Sequence, residues 1–102
     1  MERRKPEYPL GDIKAAFGDA ARFNRTFSSK LGADALGMDD EGVMAVIQAL
    51  KGSDFEKSMT SIADHKVWQD VYRPTTADGR ALYVKFTLDE RKELLLISFK
   101  EA

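Results

Sequence analysis

Apolar positions recur along this chain with two different periods, three to four residues in its first half and two in its second. Leu10, Ile13, Phe17 and Ala20 share one helical face, so a helix is expected over about 11–21, with Gly18 weakening it by about 1 kcal/mol relative to Ala. Phe23, Arg25 and Phe27 alternate with Arg22, Asn24 and Thr26, the pattern of a short edge strand. Ser28 or Ser29 can cap a second helix that runs to about Leu36 and stops at Gly37. A third helix has the clearest signature. Asp39, Asp40 and Glu41 stand at its start, where carboxylates accept free N–H groups and oppose the helix dipole. Val43, Met44, Val46, Ile47 and Leu50 form its apolar stripe, and Lys51 and Gly52 close it.

From residue 55 the period falls to two. Strands are expected at Phe55 to Ile62, Val67 to Arg73, 80–88 and 94–101, with a polar turn at Ala63-Asp64-His65-Lys66. A last hairpin turning about Arg91-Lys92 pairs residues whose numbers sum to 183: Leu88 with Leu95, Phe86 with Ile97, Val84 with Phe99 and, on the other face, Tyr83 with Lys100. A five-residue loop, 75–79, with Gly79 at a left-handed position, pairs Pro74 with Arg80, Val71 with Tyr83 and Gln69 with Lys85. Trp68 and Tyr72 then face the core opposite Phe86 and Leu82, and Asp70 joins them, where it needs a donor or a wet edge. The expected fold is α+β, one domain over residues 1–102. Its N-terminal helices pack on one face of an antiparallel sheet, and Gln69, Arg73, Tyr83, Lys85 and Lys100 stand on the open face.

Composition narrows the class. With 43% hydrophobic and 32% charged residues over 102 positions, the chain can bury one modest core. It has no Cys, which removes disulfides and thiolate metal sites. The charged start (Glu2, Arg3, Arg4, Lys5) has no apolar segment after it, so no signal peptide or membrane span is expected. The net charge of −1 is unevenly spread: residues 31–56 hold one basic and six acidic groups, residues 57–88 five basic and three acidic. A local basic groove beside an acidic helical region is therefore compatible with an overall balance that does not advertise nucleic-acid binding.

Polar side chains gather in Ser53–Pro74, SDFEKSMTSIADHKVWQDVYRP, which holds the only Trp, the only His, Lys57, Lys66, Arg73 and Gln69. There is no His pair, no His–carboxylate cluster of metal spacing, no Walker or GxGxxG loop and no GxSxG. Lys, Tyr, Gln and Arg suffice for one reaction, because RNA carries its own nucleophile. An enzyme need only align the 2′-OH, move protons and stabilise the phosphorane.

The pattern SDF-x-KSMT followed by DH-x-x-WQDVYRP resembles the MqsR family of bacterial toxins, and looser similarity runs from MERRKP through GADALGMDDEGV to ISFKEA. The resemblance implies a RelE-like α+β fold and a cytoplasmic toxin of a type II toxin–antitoxin system. It would cut single-stranded mRNA at GCU-type sites without metal or cofactor and be restrained by an antitoxin. Read onto this chain, it implies a catalytic set of Lys57, Gln69, Tyr83 and Lys100. Lys57 and Lys100 would serve transition-state charge and proton transfer, Tyr83 proton transfer or phosphate hydrogen bonding, and Gln69 positioning. Arg73, Lys85, Met59 and His65 complete the expected substrate contacts, Met59 on the strand side of Lys57 and His65 in the turn. Where the family commonly has Tyr between SDF and KSMT, this chain has Glu56, which repels phosphate and cannot stack on a base. The rival class is a non-catalytic module whose open face docks a protein.

Overall fold

Five strands hydrogen-bond in chain order, each antiparallel to the next: β1 (Glu2–Arg3), β2 (Phe55–Thr60), β3 (Trp68–Tyr72), β4 (Leu82–Leu88) and β5 (Leu94–Glu101). The computed structural model describes residues 1–102. Three helices, α1 (Leu10–Ala16), α2 (Phe27–Ala35) and α3 (Asp40–Gln48), precede β2 and close over one face of the sheet. Between that face and the helices lies the core. Ile13, Phe17, Ala33, Val43, Ile47 and Leu50 meet Tyr72, Leu82, Val84, Phe86, Leu96 and Phe99, none more than 1% exposed. The expected α+β arrangement is the observed one. Phe86 is the aromatic hub, with the Phe17 ring 5.4 Å and the Tyr72 ring 5.9 Å from its centroid.

The acidic start of α3 caps it as its sequence requires: Asp39 accepts the Gly42 N–H at 2.9 Å. Other boundaries move. α1 ends at Ala16, two residues before Gly18, and the third helix ends at Gln48. The expected edge strand at 23–27 is a single parallel bridge, Arg25 to Leu96, and Thr26, not Ser28 or Ser29, caps α2 by accepting the Ser29 N–H. These residues are committed elsewhere. Leu96 N–H donates to Asn24 O and Thr26 N–H to Leu96 O, both at 3.0 Å, so the segment covers the free edge of β5 and leads directly into α2.

Three register differences decide the sheet. β3 and β4 pair two residues away from expectation: Val71 meets Lys85, Tyr72 meets Val84 and Asp70 meets Phe86. A two-residue slip leaves every side chain on its expected face, so the face assignment survives although Val71–Tyr83, Gln69–Lys85 and Pro74–Arg80 do not pair. The loop is still tight, bridged by Thr75 and Ala81 with Gly79 at φ +89°. In the β4–β5 hairpin, Tyr83–Lys100 and Val84–Phe99 form as expected, but a bulge after Lys85 pairs Phe86 with Leu96 and Leu88 with Leu94. Leu96, not Ile97 or Leu95, is therefore the core residue. Its run of Leu94, Leu95, Leu96 and Ile97 is apolar on both parities, which left the pattern unable to choose.

The third irregularity is a bulge at Glu56. Phe55 pairs with Tyr72 on the core side, whereas Lys57 pairs with Val71 on the open side. Simple alternation would have put Phe55 and Lys57 on the same face. Asp70 finds its donors in the chain after β1: the amides of Glu7 and Tyr8 reach its carboxylate at 3.1 and 2.9 Å.

Candidate active site

On the open face the side chains fall into rungs that cross the sheet. One runs Lys57–Val71–Lys85–Ser98 over four strands, and a second contains Tyr83 and Lys100. On the other side of the first lies Glu2–Met59–Gln69. Val71 is fully buried although it points away from the core. Its neighbours in the rung are Lys57 and Lys85, both partly buried, and long aliphatic stems of this kind cover apolar surface beside them.

Tyr83 is the centre of this face. Around its ring stand Lys100 Nζ at 5.4 Å, the Arg73 guanidinium at 5.7 Å and Lys85 Nζ at 5.8 Å from the centroid, all within cation–π reach. Arg73, Tyr83, Lys85 and Lys100, with Ser98, Glu101 and Ala102, line a shallow depression of about 360 Å³. Larger depressions exist, such as one of about 470 Å³ between α3 and the 74–77 loop, but beside Ala45, Val46, Ala49 and Pro74 it holds a single cation, Lys51, together with the carboxylate of Asp54. Size is therefore a poor guide here, and the density of cations is the better one.

Two carboxylates balance this charge. Glu2 Oε1 receives the Lys57 ammonium at 2.7 Å, and Glu56 Oε2 lies 3.2 Å from Arg73 Nε. The hydrogen bond and charge of Glu2 hold Lys57 above the ordinary lysine range, and the same contact lowers Glu2. Lys85 moves the other way. Burial of its ammonium lowers its pKa first, and the charges of Lys100 and Lys57 add to the effect.

Of the expected site residues, Arg73, Tyr83, Lys85 and Lys100 come together around one ring, with Lys57, Gln69 and Met59 beside them on the same face. His65 does not join them. It is exposed in the β2–β3 loop, at the end of β3 away from Arg73, about 17 Å along the strand direction at ~3.4 Å per residue. The sequence pattern did not reveal Ser98, the counter-ion role of Glu2 or the burial of Val71. Ser98 was within reach, since the sum of 183 pairs it with Lys85. Glu2 sits on a strand of two residues, too short to leave a period.

Comparison with known proteins places this geometry. Residues 5–101 match the family described as motility quorum-sensing regulator, toxin of MqsA. The mRNA interferase toxin MqsR of Escherichia coli (strain K12) is 44% identical over 101 residues, covering 99% of each chain. A match of that length takes in β1, all three helices and every strand that carries the cationic face, and the chain belongs to the MqsR toxin family.

Proposed function

We propose that this protein is an mRNA interferase that cleaves single-stranded mRNA through the substrate's own 2′-OH, at GCU-type sites, and that a cognate antitoxin restrains it. The observation that carries the reading is the convergence of Arg73, Lys85 and Lys100 on the Tyr83 ring, with Lys57 one rung away, in a chain whose net charge is −1. Such a cluster suits a phosphate whose negative charge grows in the transition state. Lys57 and Lys100 supply charge to the phosphorane, the Tyr83 hydroxyl hydrogen-bonds a phosphate oxygen, Gln69 orients the attacking nucleotide and Arg73 holds the backbone. The 2′-oxygen attacks phosphorus, a 2′-O–P bond forms and the P–5′-O bond breaks. The products carry a 2′,3′-cyclic phosphate and a 5′-OH.

End-group analysis of the cleaved RNA tests this. Replacing ribose by deoxyribose at the cleavage nucleotide should abolish cutting, and EDTA should leave the rate unchanged. A 5′-phosphate product, or loss of activity on chelation, overturns the reading. Growth arrest with transcript loss on induced expression separates it from a face that only docks a protein.

A further inference from the structure

We propose that Lys85 is the general acid of this reaction, donating its ammonium proton to the 5′-oxygen as that oxygen leaves phosphorus; the inference rests on the 2′-OH reading above. Of the four cations on the open face, Lys57 is paired with Glu2 and Arg73 with Glu56, while Lys100 is exposed to water. Lys85 alone has neither a carboxylate partner nor full contact with solvent. It also stands in the middle. Lys57 lies two strands away in its own rung, and Lys100 lies across the hairpin beside Tyr83. A phosphate gripped by the outer cations presents an oxygen to the central one.

The charged and titratable groups around Lys85 are Lys57 from β2, Arg73 after β3, Tyr83 on β4, and Lys100 and Glu101 on β5. Burial and like charge lower the pKa of its ammonium, so it gives up a proton more readily than a free lysine. The ammonium, the protonated form of the side chain, is the donor. Arg73 cannot serve, since a guanidinium does not deprotonate in proteins. In the step, the 2′-OH proton passes to solvent water while the 2′-O–P bond forms. The electron pair of the P–5′-O bond goes to the 5′-oxygen, which takes the Lys85 proton, and the neutral amine then recovers a proton from water. The reaction consumes no net proton.

A leaving-group substitution tests the role. An RNA oligonucleotide centred on a site first mapped with the parental protein is made with either oxygen or sulfur at the 5′-bridging position. A thiolate leaves without a proton, because thiols are several pKa units more acidic than alcohols. Lys85→Arg keeps the charge but cannot donate, so it should lose about 10²-fold or more on the oxygen substrate and cut the sulfur substrate at the parental rate. Lys85→Met, which preserves the stem beside Val71, should give the same pattern. With the parental protein, the rate on oxygen RNA should fall as pH rises through the lowered Lys85 pKa, with no such fall on sulfur RNA. The other charged groups act on both substrates, so their titration cancels in the ratio. Equal losses on both substrates, parental activity of Lys85→Arg on the oxygen RNA, or identical pH profiles for the two RNAs would each overturn the assignment. A parental protein that yields a 5′-phosphate overturns the 2′-OH reading and this inference with it. Cyclic-phosphate products with an indifferent Lys85→Arg overturn the inference alone.

Discussion

Glu56 owes its place to a single irregularity in β2, and it does two things at once. The bulge that sends Phe55 to the core and Lys57 to the open face leaves Glu56 at the rim, where it pairs with Arg73. An acidic group there repels phosphate and occupies a cation on the proposed RNA path. Glu56→Tyr should tighten binding of a non-cleavable RNA, deoxyribose at the cleavage nucleotide, by about 1–3 kcal/mol from the added stack. Fluorescence anisotropy reads it, and unchanged affinity would place residue 56 outside the RNA path. A second residue governs alkaline stability. Tyr72 is pushed up to about 12 by burial and by the neighbouring Asp70 carboxylate. The fold therefore favours the neutral phenol. Its contribution is complete below pH 10.0, the ordinary tyrosine value, and is lost as pH rises toward 12. Urea unfolding from pH 9 to 12 should show a decline that is shallower in Tyr72→Phe, and equal slopes in the two proteins would contradict it.

The unit of construction at the next scale is α2 laid against β5. Thr26 caps the helix and also donates its own N–H to Leu96 O, so one residue ends the edge contact and begins the helix. Gly32 permits the close approach. A Cβ built there would lie 2.0 Å from Phe99 O, a backbone atom that cannot swing aside. Gly32→Ala should therefore destabilise the protein by about 1–3 kcal/mol as α2 is pushed off the strand, despite the better helix propensity of alanine. Because the neighbouring residue on β5 is Lys100, cleavage should fall as well. Chemical denaturation with an activity assay checks both, and a more stable Gly32→Ala would show that the helix is not held this closely in solution.

Across the whole molecule, charge is distributed so that a nearly neutral chain presents one cationic face. Glu2 and Glu56 offset two of its four cations, and the acidic stretch from 31 to 56 is spent mostly on α2, α3 and their caps. RNA binding should therefore be weak and depend on few phosphate contacts. For three to four neutralised phosphates on a single strand, log affinity against log salt should fall with a slope of about −2 to −3. A slope near zero, measured by anisotropy from low to moderate salt, would mean that the face does not hold the backbone. No helix is long and apolar enough to cross a membrane.

What the sequence determined by itself was the alternation of faces and the ends marked by strong local chemistry. The α3 cap, the Tyr83–Lys100 pair and the side of the sheet carrying Gln69, Arg73 and Lys85 were all legible, because side-chain direction in a strand follows parity and caps are local. Parity cannot see an even slip, so the β3–β4 register was left to the loop and the packing of Tyr72 against Phe86. Nor can it see a bulge. The turns of Phe55 to the core, Lys57 to the open face and Leu96 beneath the helices depended on how the sheet meets α1, α2 and α3. The same holds for the cations. The identities of Lys57, Lys85 and Lys100 were visible in the chain, but their different states were not. A lysine becomes a fixed charge or a proton donor according to whether a carboxylate such as Glu2 or another ammonium stands beside it, and only the folded sheet sets those distances.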